Sequence, residues 1–195
     1  MNDEQFSTAA FSTLICDVPR PGVARITLNR PAQMNAYTFG MTQDLLAALA
    51  LYRDDDSLRA LILTGAGTRA FCTGGDLSGA DADHNRKVAT QPMGSGREMR
   101  DGMQAVVRAL VRLDKPSLAV IRGYAVAGGL ALALACDFRL AGEDAIFGGQ
   151  AQETFAAMRD ERFADIAAQT GAFGLAKQLE AQFARLLPAS PAAKA

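Results

Sequence analysis

Hydrophobic positions along this chain follow two periods, and each stretch predicts an element. Leu14–Val18 and Val23–Asn29 read as two strands joined by the turn Pro19-Arg20-Pro21-Gly22. In the second, Ala24, Ile26 and Leu28 alternate with Arg25 and Thr27, the period of two of a half-buried strand. Asn29-Arg30-Pro31 ends it, because proline brings no N–H to a ladder. Met41, Leu45, Ala48, Leu49 and Tyr52 then share one helical face, with Thr38 or Thr42 as its cap. Asp54–Asp56 reads as a solvated loop. Leu58–Thr64 is a nearly continuous apolar run, the pattern of a strand buried on both faces.

Further along, Met99, Met103, Val106, Val107, Leu110 and Leu113 lie at helical spacing within 94–113, and Lys115-Pro116 breaks that helix. Ser117–Arg122 predicts another strand, Leu130–Ala135 a helix apolar all round and therefore in the core, and Phe138–Ala141 a short strand. Strands alternating with helices predict α/β architecture with a substantially parallel sheet. Beyond Gly149 the texture changes. Residues 150–187 are alanine-rich and predict a short C-terminal helical region, with Gly171 between two helices and Pro188–Ala195 as a tail.

Composition narrows the class. With 49% hydrophobic and 21% charged residues in 195, the chain can bury a core without disulfide or metal staples. Its net charge of -1 lacks the basic excess of a general nucleic-acid binder. Cys16, Cys72 and Cys136 are far apart and form no CxxC pair, so free thiols in a reducing, cytoplasmic compartment are expected and no metal site is. The N-terminus shows no apolar h-region of a signal peptide. The most apolar stretch, Ala125–Cys136, is too short and glycine-broken for a membrane helix. His84 reads as a solvated loop histidine, because no nucleophile motif accompanies it.

Two glycine turns carry the candidate chemistry. Ala70-Phe71-Cys72-Thr73-Gly74-Gly75-Asp76-Leu77 follows the Leu58–Thr64 strand by a few residues, and Gly123-Tyr124-Ala125-Val126-Ala127-Gly128-Gly129 directly precedes the core helix. Glycine allows close approach of backbone to a ligand, and a helix N-terminus leaves N–H groups without intrahelical partners. Two such turns converging would aim two N–H groups at one oxygen, forming an oxyanion hole. Each turn alone reads first as an ordinary strand-to-helix connection.

In order and phase, LNRPAQMNA at 28–36, AFCTGGDL at 70–77 and RGYAVAGGLALALACDFRLA at 122–141 resemble the crotonase, or enoyl-CoA hydratase/isomerase, superfamily. The resemblance covers roughly residues 11–148. It implies a spiral of β-β-α units over 11–149 that binds a small-molecule acyl-CoA, with coenzyme A entering as part of the thioester and no separate cofactor. It places the oxyanion N–H groups at Gly75 and Gly128. Ala36 and Thr73 fall where family carbonyls meet the adenine, Gly74, Asp76 and Leu77 complete that loop, and Arg30 is a candidate for CoA phosphate or equally a solvated charge at the strand end. A homo-oligomer, trimer or hexamer, is implied, with no nucleic-acid or membrane partner.

At the proton-transfer positions this sequence departs from the family. Three residues after Gly128 stands Ala131, and four after Phe147 stands Ala151, where hydratases carry glutamates. Alanine moves no proton. Glu153 is two residues further on and serves only if the loop carries an insertion; Asp160 and Glu161 are more distant alternatives. The C-terminal region is short against the family pattern. Two functions therefore stand side by side: an enzyme of the enoyl-CoA hydratase/isomerase type, or a silent acyl-CoA binder that kept the cradle.

Overall fold

The alternating pattern of Val23–Leu28 resolves as predicted into a strand with Ala24, Ile26 and Leu28 fully buried and the intervening side chains half-buried. In the computed structural model, residues 6–7, 9–78, 80–91 and 93–147 are described. The helical region expected at 150–187, with Glu153, Asp160, Glu161 and Ala151, lies outside the described residues.

One sheet holds five strands. β1 (Leu14–Arg20) runs antiparallel to β2 (Val23–Leu28), and β2 is followed in parallel by β3 (Ala60–Gly65), β5 (Ser117–Ile121) and β7 (Phe138–Ala141). The register sets Ile26 beside Leu63 and Leu63 beside Ala119, so one face presents a continuous apolar row to the core. The opposite face is only half-buried: Ile62, Leu118 and Val120 lie there. The strand expected to be buried on both faces is thus buried on one.

A second, smaller sheet was not legible in the sequence. β4 (Ala70–Cys72), β6 (Tyr124–Ala125) and β8 (Ile146–Phe147) pair in parallel, Ala70 with Tyr124 and Tyr124 with Ile146. The windings through β3–β4 and β5–β6 each lay one strand in the large sheet and one in the small, then a helix, and β7–β8 repeat the strand pair. In the first winding Tyr37 makes an isolated parallel bridge to Gly75. This is the β-β-α spiral that the sequence resemblance implies.

The helices close the core. α1 (Phe39–Asp54) is capped by Thr38, whose hydroxyl accepts from the Met41 N–H at 3.1 Å, while Thr42 lies inside the helix and donates to the Phe39 carbonyl. Met41, Leu45, Ala48, Leu49 and Tyr52 are its buried face. Asp55 is buried rather than solvated, because its carboxylate accepts from the Ser57 N–H and hydroxyl in a tight turn. The single helix expected within 94–113 is two, α3 (Gly94–Asp101) and α4 (Met103–Val111), broken at Gly102 with backbone angles of -95° and -112°. α2 (Ala82–Ala89) precedes them, and α5 (Gly128–Ala135) is the apolar core helix.

Buried Cys16, Cys72 and Cys136 are free thiols whose pKa values burial pushes up to about 12, 11 and 12, so they are protonated core residues at neutral pH. No helix among the described residues is long and apolar enough to cross a membrane.

Candidate functional site

The site is built where the 30–37 loop, the glycine turn after β4 and the glycine turn before α5 meet. Asn35 fastens the first to the second. It lies in the left-handed region at φ 54° and is fully buried; its side-chain oxygen accepts from the Arg30 N–H, and its amide donates to the carbonyls of Ala66 and Ala70 at 3.0 and 2.8 Å. Asparagine tolerates this backbone and satisfies each group it buries. The Tyr37 N–H then donates to the Gly74 carbonyl at 2.8 Å, and the Asp76 N–H to the Tyr37 carbonyl at 2.9 Å. Those two bonds flank the Gly75 peptide on either side.

The two glycine turns touch. A Cβ at Gly74, where φ is +92°, would come within 3.0 Å of the Ala127 methyl and 3.5 Å of the Gly128 nitrogen. The Tyr37 ring packs against both candidate donors, since a Cβ at Gly75 would lie 3.7 Å from it and one at Gly128 only 2.5 Å. Among the described residues neither the Gly75 N–H nor the Gly128 N–H has an acceptor. Ala127, immediately before Gly128, holds φ at +49°, a conformation costing alanine about 1–3 kcal/mol and typical of strained functional turns. That strain was not readable from the sequence.

Arg30 does not project into solvent from the strand end. Its guanidinium pairs with the Asp76 carboxylate at 2.6 Å, where the Asp76 side chain is 2% exposed, and donates to the Ala36 carbonyl at 2.5 Å. The Ala36 carbonyl, a candidate adenine contact, is therefore also the acceptor of an arginine. Thr73 is half-buried with its hydroxyl 3.4 Å from the Met34 carbonyl, and Leu77 is 99% exposed at the tip of the loop.

Hydrogen bonds from Ser78, and then the Arg30 guanidinium, hold the Asp76 carboxyl below the usual carboxylate range. A depressed pKa contributes stability above the unfolded value of about 3.9 that is lost as pH falls through the folded one. Arg30→Ala leaves that carboxylate buried and unpaired and is expected to cost about 3 kcal/mol at pH 7. In urea titrations at descending pH, the gap between wild type and Asp76→Asn is expected to close below about pH 4. A gap independent of pH would show that the pair holds nothing together.

A cavity of about 240 Å³ opens beside these turns, walled by Tyr37, Gly75, Asp76 and Met103 together with Asp81 and Glu98. His84, expected in a solvated loop, lies on α2 instead. Its ring stacks on Phe39 at 4.3 Å between centroids, and its buried Nε2 is 3.1 Å from the Glu98 carboxylate. Burial raises the Tyr37 phenol above its ordinary pKa, with Cys72 and the Glu98 carboxylate adding to it. Among the described residues no group of three or more His, Cys, Asp or Glu side chains could hold a metal ion.

The fold, a β-β-α spiral, is that of the crotonase superfamily. The family model for Enoyl-CoA hydratase/isomerase matches residues 20–194, and the chain belongs to that family. It is 42% identical to a "Probable enoyl-CoA hydratase echA12" of Mycobacterium leprae over 134 residues, covering 69% of this chain and 45% of that protein. It is 41% identical over 126 residues to an "(E)-benzylidenesuccinyl-CoA hydratase" of Thauera aromatica, covering 65% of this chain and 46% of that one. The crystal structure of a Bacillus anthracis enoyl-CoA hydratase superposes with a TM-score of 0.61 at 33% identity, over 70% of this chain and 50% of the other. That of a monofunctional enoyl CoA isomerase from M. smegmatis superposes at 0.54 and 38%, over 70% and 54%. The chain spans about half the length of the relatives it matches.

Proposed function

We propose that this chain binds an acyl-CoA thioester and stabilises its enolate between the backbone N–H groups of Gly75 and Gly128, as hydration or double-bond isomerisation of an enoyl-CoA requires. The observation that carries this is the pair of N–H groups, without an acceptor among the described residues, on touching turns beside a cavity. Negative charge develops on the thioester oxygen as the enolate forms, and two donors fixed before the reaction stabilise it without reorganising. Removing one such donor elsewhere costs about 3–4 kcal/mol of barrier.

The CoA moiety lies along Ala36, Thr73, Gly74, Asp76 and Leu77 in this reading. Arg30 serves that loop by clamping Asp76 and the Ala36 carbonyl, which accounts for its engaged geometry better than a free phosphate ligand would. The names of the relatives, hydratases and an isomerase alike, support a thioester substrate without choosing the reaction. By the same family reading the protein is a homo-oligomer, a cytoplasmic trimer or hexamer.

A second reading, a silent acyl-CoA binder, is favoured by one observation: the glutamate positions of hydratases are Ala131 and Ala151 here. Following the enone absorbance of a short 2-enoyl-CoA mixed with catalytic amounts of protein separates the two. The enzyme consumes the band or converts a 3-enoyl isomer into it. A band unchanged after long incubation of either substrate leaves only the binder.

A further inference from the structure

The spiral supplies no carboxylate at position 131, yet three carboxylates wall the cavity next to Gly75: Asp76, Asp81 and Glu98. Two are committed to the backbone framework. Asp76 is locked to Arg30 at 2.6 Å, and Asp81 accepts from the Phe39 N–H at 2.7 Å, finishing the N-terminus of α1. Glu98 differs. It comes from α3, its side chain is partly exposed, and its neighbour is the His84 imidazole at 3.1 Å. That imidazole is in turn fixed by its stack on Phe39, whose own N–H is the one Asp81 holds. A carboxylate 3.1 Å from an imidazole held by its ring stack, across one cavity from an oxyanion donor, is an acid–base arrangement.

The geometry points to Glu98 as the proton-transfer residue of this protein, with His84 as its positioning residue, replacing the carboxylates absent at positions 131 and 151. The assignment rests on the thioester reading above. Glu98 takes a proton from C2 of the acyl group, and the C–H electron pair moves into the carbonyl. The thioester oxygen then carries the negative charge between the Gly75 and Gly128 N–H groups. The protonated carboxyl then gives a proton back: to C2 after its own O–H has exchanged with solvent, which is the exchange reaction, or to C4 of a 3-enoyl group, where the electrons flow back and leave C2=C3 as the double bond. No water, metal or second base is consumed. Tyr37 lines the same cavity, and its phenol above the ordinary pKa stays protonated, a neutral wall beside the reacting carbons.

The test uses the 195-residue chain and a short saturated acyl-CoA in deuterium oxide, reading deuterium at C2 by mass spectrometry. A short enoyl-CoA gives the parallel readout of binding, through the displacement of its band to longer wavelength. Wild type is expected to show both. Glu98→Gln is expected to keep the displaced band and lose exchange by about 10²–10⁴-fold. His84→Gln is expected to bind with unchanged affinity and exchange more slowly, a split that a general loss of structure does not produce. Exchange at the wild-type rate in Glu98→Gln, with the band still displaced, overturns the assignment and leaves thioester binding standing. So does a wild type that displaces the band and never exchanges, which is the silent binder. A wild type that does neither removes the thioester reading and this assignment with it.

Discussion

Gly128→Ala is expected to fold and to lose the polarisation of a bound thioester. The added methyl would stand 2.5 Å from the Tyr37 ring, and the atoms it meets belong to a side chain that can swing rather than to backbone. The ring shift disturbs one wall of the cavity and crowds the very N–H that has no acceptor among the described residues. Loss of one oxyanion donor costs about 10²–10³-fold in turnover. The same substitution in a Tyr37→Ser background relieves the clash, so a double-mutant cycle separates crowding from loss of the donor. If the Gly128→Ala protein displaces the enoyl-CoA band as wild type does, the N–H at 128 has no part in binding the carbonyl.

One residue along, the same substitution acts on the fold instead. A Cβ at Gly129 would meet the Cys72 carbonyl oxygen at 2.1 Å, and that oxygen accepts from the Val126 N–H at 3.1 Å. Neither partner can step aside without parting β4 from the turn that carries Gly128. Gly129→Ala is expected to destabilise by at least about 3 kcal/mol, at the upper end of overpacking costs. That corresponds to a fall in Tm on the order of 10 °C for a chain of this size. Calorimetry of the two alanine variants side by side is the check. Equal melting temperatures for Gly128→Ala and Gly129→Ala would contradict the different obstacles the two methyls meet.

The elements legible in the sequence are those whose period had room to repeat. Val23–Leu28 spans three alternations, α1 four turns, and Thr38 announces its start as a cap. The small sheet escaped because its strands are two or three residues long, too short for any period to be counted. What holds them is non-local: Tyr124 N–H to the Arg69 carbonyl, Val126 N–H to the Cys72 carbonyl. The glycine turns were legible as backbone features, because positive φ at 74 and 123 favours glycine and the Tyr37 ring lies close against 128. Asn35 was within the motif that carried the resemblance, and asparagine's tolerance of the left-handed backbone it adopts is the signal that could have singled it out. Glu98 and His84 gave no such signal. A glutamate among Arg97, Arg100 and Asp101 reads as a solvated face, and only the break at Gly102 and the packing of α2 turn it toward a cavity shared with Gly75.

Stability of the Arg30–Asp76 clamp, exchange at Glu98 and the fold's tolerance of alanine at 128 all converge on one oxygen-binding point. The most direct measurement of that point is a difference ultraviolet spectrum of a short enoyl-CoA mixed with excess protein, recorded for wild type and Gly128→Ala. Wild type is expected to move the enone band to longer wavelength on mixing, as charge is drawn onto a carbonyl held by Gly75 and Gly128, and Gly128→Ala is expected to leave it in place. A wild-type spectrum equal to the sum of its parts at saturating protein would contradict thioester polarisation by these two turns.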